Sequence, residues 1–156
     1  MALSMGSVAP NFTLFNTEKK EISLASFKGQ KVVLVFFPLA FTGVCTTELC
    51  SLRDSLAAYN QVNAQVLGIS IDSLFVLGEY KKELGVQFDL LSDFNKEVST
   101  AYNALYDSFV FDMKGVGKRS AFVIDKNGVI QYAEVLEKAS DLPNFDNIKN
   151  TLSKLS

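Results

Sequence analysis

Histidine is absent from all 156 residues. That removes Ser-His-Asp and Cys-His hydrolases, His-ligated metal sites and any mechanism that needs an imidazole acid or base. Cysteine is scarce as well: Cys45 and Cys50 are the only 2, too few to staple a secreted scaffold and unable by themselves to complete a zinc site. In a reducing cytosol, two close thiols are either inert core or redox chemistry. An excess of positive charge is also missing. Fifteen Lys and Arg face 17 Asp and Glu, a net charge of −2, so no summed field draws nucleic acid or an anionic membrane. No apolar run approaches the roughly eighteen residues of a membrane span. The opening MALSMGSVAP lacks the charged and apolar regions of an export signal. The expectation is a soluble, unexported, cytoplasmic protein that needs no bound metal or cofactor.

What is present fits one compact domain over residues 1–156. The chain is 48% hydrophobic and 21% charged, enough to bury a sizeable core. Apolar periodicity gives a coarse β/α order without repeats or a linker. A short strand is expected at 12–15. KVVLVFF, residues 31–37, is a continuous β-branched and aromatic run of the kind buried on both faces, and it ends at Pro38. Leu49, Leu52, Leu56 and Tyr59 recur at helical spacing and predict one helix over 44–60. A central strand at 65–71 precedes a helix marked by Leu74, Leu77, Tyr80, Lys81 and Leu84 and closed by Gly85. A short strand at 90–91, a short helix at 96–102 and a glycine-containing loop at 103–118 follow. Strands 120–125 and 129–134 flank Lys126-Asn127-Gly128, an Asn-Gly hairpin signal, and a last helix begins near Asn144. Strand, helix, strand, helix, hairpin and closing helix is the order of an α/β thioredoxin-like fold.

The chemistry concentrates in PLAFTGVCTTELC, residues 38–50. It puts Cys45 in the first turn of a predicted helix just past a buried strand, where free backbone N–H groups and the helix dipole favour an anion such as a thiolate. A cysteine alone there would more often be a small buried apolar residue; its neighbours argue otherwise. Proline, three residues, Thr or Ser, two residues and cysteine is the signature of the peroxiredoxins, and Pro38, Thr42 and Cys45 match it. Glu48, and Arg119 in KRSAFVIDKNG, resemble the family's conserved acid and late-strand arginine. VAPNFTL is similar to the family's APDFTL opening, with Asn11 in place of Asp, and LSDFNKEVSTAY to its middle segment. PLAFTGVC and LSDF look most like the alkyl hydroperoxide reductase E type, whereas CTTELC is similar to the CTxEAC of the Q, or bacterioferritin-comigratory, type.

The resemblance implies a thioredoxin-like fold with a peroxiredoxin N-terminal extension and insertions, and a thiol peroxidase acting on hydrogen peroxide and organic hydroperoxides. Cys45 would be the attacking thiolate and would become a sulfenic acid. Cys50 would resolve it as an intramolecular disulfide, reduced in turn by a thioredoxin- or glutaredoxin-like dithiol. Arg119 would offer a charged fork to the developing oxyanion and Thr42 a hydroxyl that donates to one peroxide oxygen and accepts from the other, beside the Val44 and Cys45 backbone N–H groups. Glu48 would hold the guanidinium, and Pro38 would fix the loop and screen the thiolate from water. Likeness to the E type implies a homodimer; the Q type allows a monomer. Arg53, on the same predicted helix, is as well explained by a solvated helix face and stays outside this set.

Rivals fit less well. A cysteine phosphatase needs Arg six residues after the cysteine, and position 51 is serine. A thioredoxin-like dithiol oxidoreductase needs Cys-x-x-Cys, and position 48 is glutamate. A one-cysteine peroxidase resolved by an external thiol remains open, as does a non-enzymatic module. The Gly115-Val116-Gly117-Lys118 stretch lacks the spacing of a phosphate loop.

Overall fold

A computed structural model describes residues 3–155. The run read as doubly buried becomes strand β3 (Lys31–Phe36), with all six residues buried. Its alternation splits the core: Val33, Val35 and Phe37 face one cluster, and Val32, Leu34 and Phe36 face the other. β3 sits near the centre of a seven-stranded sheet. On one side it pairs in parallel with β4 (Ala64–Ser70), which pairs in parallel with β5 (Asp89–Ser92). On the other it runs antiparallel to β8 (Ser120–Ile124), which forms a hairpin with β9 (Ile130–Val135). Beyond β5, the antiparallel strands β1 (Thr13–Asn16) and β2 (Glu21–Ser23) complete the order β2-β1-β5-β4-β3-β8-β9. The architecture is a thioredoxin-like sheet with an N-terminal extension.

Four helices contribute side chains to the first cluster: α1 (Gly43–Asp54), α2 (Leu56–Gln61), α3 (Leu74–Leu84) and α5 (Phe145–Lys154). The short α4 (Glu97–Ala101) and the N-terminal Ala9, Phe12 and Leu24 cover the other. Local chemistry sets the ends. Ser73 caps α3 by accepting the Val76 N–H, and Gly85 closes it at φ +68°. Asn144 caps α5 through the Asn147 N–H. In the hairpin turn, Asp125 Oδ1 accepts the N–H groups of Asn127 and Val129, and Gly128 takes φ +82°.

Three expectations change. The helix expected over 44–60 is broken at Ser55 (φ −101°, ψ 5°), whose N–H is shared between Ser51 O and Leu52 O. The apolar stripe of Leu49, Leu52, Leu56 and Tyr59 continues through the break, so periodicity does not register it. The stretch 103–118, read as a loop, contains the two-residue strands β6 (Leu105–Tyr106) and β7 (Val116–Gly117), paired antiparallel, too short for any alternation to show. β2 is likewise only three residues long and was not read. No helix among the described residues is long and apolar enough to cross a membrane.

Candidate active site

β3 delivers the chain to Phe37 and the buried Pro38, after which the backbone turns through Phe41 at φ +68°, an uncommon conformation for a bulky residue. The Ala40 N–H donates to Asp72 Oδ2 at 2.8 Å, and the Ser70 hydroxyl donates to the same oxygen at 2.7 Å. The end of β4 thus anchors the loop that follows β3. Thr42 is the N-cap of α1 in extended conformation but makes no side-chain cap. The first i to i−4 bond is Thr46 N–H to Thr42 O at 3.0 Å, so the N–H groups of Gly43, Val44 and Cys45 precede the helical ladder and remain available to an anion.

Cys45 has no solvent-exposed surface, and Cys50 is partly exposed; both are free thiols on one unbroken helix. Arg119 approaches Cys45 from across the sheet, 74 positions along the chain. Its Nη2 donates to Cys45 Sγ at 3.2 Å, its Nη1 to Glu48 Oε1 at 2.7 Å and its Nε to Ala139 O at 2.8 Å. Each of the three guanidinium nitrogens is committed to a different acceptor, spread over a planar fork that a compact ammonium lacks. Backbone bonds hold Arg119 in turn: Lys118 N–H donates to Ala104 O at 2.6 Å and Leu136 N–H to Arg119 O at 2.9 Å. The β6–β7 ladder that sequence periodicity missed therefore helps to aim the arginine.

Arg119 is 2% exposed and Glu48 fully buried. Burial pushes the Glu48 carboxyl up to about 7, with Arg119 pulling the other way. Burial also works against the charge of Arg119, but Glu48 and Cys45 beside it outweigh that and hold it charged. Glu48 Oε2 is buried without a hydrogen-bond partner.

Cys45, Glu48 and Arg119 thus meet at the start of α1, with Thr42 as its N-cap and the buried Pro38 just past β3, while Cys50 lies five residues beyond Cys45 on the same helix. One expectation is altered. The Thr42 hydroxyl donates its single proton to Leu39 O at 2.8 Å, which leaves it lone pairs for a peroxide O–H and no proton to give. Arg53 points elsewhere: its Nη1 donates to Leu84 O at 2.6 Å, at the end of α3. Two neighbours of the site were not singled out. Asp72 sits just past an apolar strand, and Tyr80 marks the buried face of α3; nothing in their spacing signals that their polar atoms meet the Cys45 loop.

The sequence profile of the AhpC/TSA family matches residues 5–133. The chain belongs to this family, the peroxiredoxins. Peroxiredoxin Q of the rice chloroplast (Oryza sativa subsp. japonica) is 39% identical over 130 residues, 83% of this chain and 58% of that protein. Alkyl hydroperoxide reductase E of Mycobacterium tuberculosis is 38% identical over 136 residues, 85% of this chain and 86% of that one. The crystal structure of peroxidoxin BcpB from M. tuberculosis superposes with a TM-score of 0.87 at 25% identity, over 99% of both chains. This peroxiredoxin therefore has relatives of both types that its sequence resembles, and the family's enzymes are thiol peroxidases.

Proposed function

We propose that Cys45 is the peroxide-attacking thiolate of a peroxidase acting on hydrogen peroxide and small organic hydroperoxides. The observation that carries this reading is the 3.2 Å contact from Arg119 Nη2 to a fully buried Cys45 Sγ at the start of α1. The thiolate attacks one peroxide oxygen, the O–O bond breaks, Cys45 becomes a sulfenic acid, and the departing oxygen takes a proton to leave as water or alcohol. Ionisation alone supplies little. An ordinary thiol of pKa about 8.5 is a few per cent ionised at neutral pH, so full deprotonation gains at most about thirtyfold. Most of the acceleration falls to donors aimed at the developing oxyanion, here Arg119 and the N–H groups of Val44 and Cys45. Thr42 orients the peroxide by accepting its O–H, Glu48 holds the guanidinium, and Pro38 closes the loop over the sulfur.

Cys50 resolves the sulfenic acid in this scheme. On an intact helix, five residues separate the two Cα atoms by roughly 8.6 Å, beyond the limit of about 7 Å for an unstrained bridge. Resolution therefore requires the first turns of α1 to unwind, and an external dithiol of thioredoxin or glutaredoxin type then reduces the bridge. The separation equally suits a one-cysteine cycle in which an external thiol attacks Cys45. The chain would work in the cytoplasm as a single domain, either as a homodimer, as likeness to the E type implies, or as a monomer, as the Q type allows. Cys45→Ser is expected to abolish turnover, and peptide mapping after one equivalent of peroxide to find Cys45 joined to Cys50. Turnover above the uncatalysed rate in that variant overturns the assignment of Cys45. A persistent sulfenic acid with Cys50 still alkylatable overturns that of Cys50.

A further inference from the structure

Tyr80 lies on α3, outside the set of groups that face the peroxide, yet it reaches both sides of Cys45. It is 1% exposed. Its hydroxyl is 2.9 Å from Thr46 Oγ1, on the residue that follows Cys45. The Phe41 backbone, four residues before Cys45, faces the same hydroxyl. The Phe41 ring packs on Tyr80 with centroids 4.8 Å apart, while Phe41 remains 53% exposed and holds φ +68°. Burial pushes the phenol up to about 12, so its proton stays in place throughout the neutral range. A bulky residue in the left-handed region persists only when its surroundings hold it there, and the Tyr80 ring packs against it at a tilt of 53°.

Cys45 and Thr46 are adjacent, so any unwinding that carries Cys45 towards Cys50 pulls Thr46 away from Tyr80. We infer that Tyr80 is a latch that keeps the start of α1 wound and thereby sets how the Cys45 sulfenic acid is partitioned between capture by Cys50 and further oxidation. The two fates balance as Cys45–SOH + Cys50–SH giving the disulfide and water, and Cys45–SOH + H2O2 giving Cys45–SO2H and water, the second irreversible without a dedicated repair enzyme. The inference rests on the reading of Cys50 as the resolving thiol. Tyr80 acts through the backbone it restrains and is a positioning residue.

Tyr80→Phe removes only the hydroxyl and Thr46→Val only its partner, each leaving the shape of the core. A hydrogen bond of ordinary net strength corresponds to a change of about two- to tenfold in the opening equilibrium. Each variant is therefore expected to lower the ratio of sulfinic acid to disulfide, measured by peptide mapping across a peroxide titration, by that factor. Each should also speed amide exchange over residues 42–52 of the reduced protein, and the double variant should do no more than either alone. An unchanged ratio in both single variants, or effects that simply multiply in the double variant, overturns the latch. If the wild-type protein forms no Cys45–Cys50 disulfide, the reading of Cys50 fails and the partition with it. The restraint on α1 is then judged by amide exchange alone, and unchanged exchange in both variants rejects that too.

Discussion

Glu48 and Arg119 meet at 2.7 Å with almost no access to water, and that burial works against ionisation of the carboxyl. Desolvation is the larger influence, so Glu48 rises from the usual 4.5 to about 7. Between those values the folded protein keeps a proton that the unfolded chain has released. Stability therefore falls as pH rises through that window and levels off above it, by roughly 3 kcal/mol on the linkage relation. Glu48→Gln retains an acceptor for Arg119 and removes the titration. The wild-type denaturation midpoint is expected to drop between pH 5 and pH 8 relative to that of Glu48→Gln; parallel midpoints at every pH would contradict the assignment. It is the resemblance to the peroxiredoxins that points in the sequence to residues 38, 42, 45, 48 and 119; the proton bound to Leu39 O by Thr42 leaves no such sign, because hydroxyl orientation is set by backbone that only the folded loop provides.

Among the elements, α1 carries Cys45, Glu48 and Cys50, and the break at Ser55 gives it an end. Leu49 and Leu52 bury its inner face, and α2 continues the same stripe through Leu56 and Tyr59. Because Ser55 shares its N–H between two carbonyls and leaves helical dihedrals, the two helices need not open together. On oxidation, amide exchange is expected to rise across 42–52 while residues 56–61 stay protected, as separate cooperative units allow. Exchange rising equally in both would mean that they behave as the single helix the apolar stripe suggests. The end of α3 at Gly85, the start of α5 at Asn144 and the 125–129 hairpin turn were readable because glycine and asparagine act there through local bonds. β2, β6 and β7 were not, since strands of two or three residues carry no period and exist only through partners distant in sequence.

Across the whole molecule, the sheet brings the end of β3, the end of β4 and the start of β8 to one place, so that Cys45, Asp72 and Arg119 become neighbours of a single loop. Close packing beneath that loop leaves little slack. A Cβ added at Gly68 in β4 would stand 2.8 Å from Leu90 Cδ2 and 3.4 Å from Phe37 Cε1, and Phe37 leads directly into Pro38. Gly68→Ala is expected to cost about 1–3 kcal/mol as an overpacked core does, read as a lower denaturant midpoint with an unchanged slope. A midpoint equal to the wild-type value would show that Leu90 yields freely.

By itself the sequence determined the β/α order, the doubly buried central strand, the position of Cys45 at a helix start and, through the Pro38, Thr42 and Cys45 spacing, the family. Those features depend on residues near one another in the chain, where periodicity, caps and motif spacing act. Tertiary structure alone decided that Arg119 divides its three guanidinium nitrogens among Cys45, Glu48 and Ala139, that Asp72 and Tyr80 tie down the loop, and that the burial of Glu48 works against its ionisation. Each of these depends on distance and desolvation between segments separated by tens of residues, and neither quantity exists until the sheet has formed.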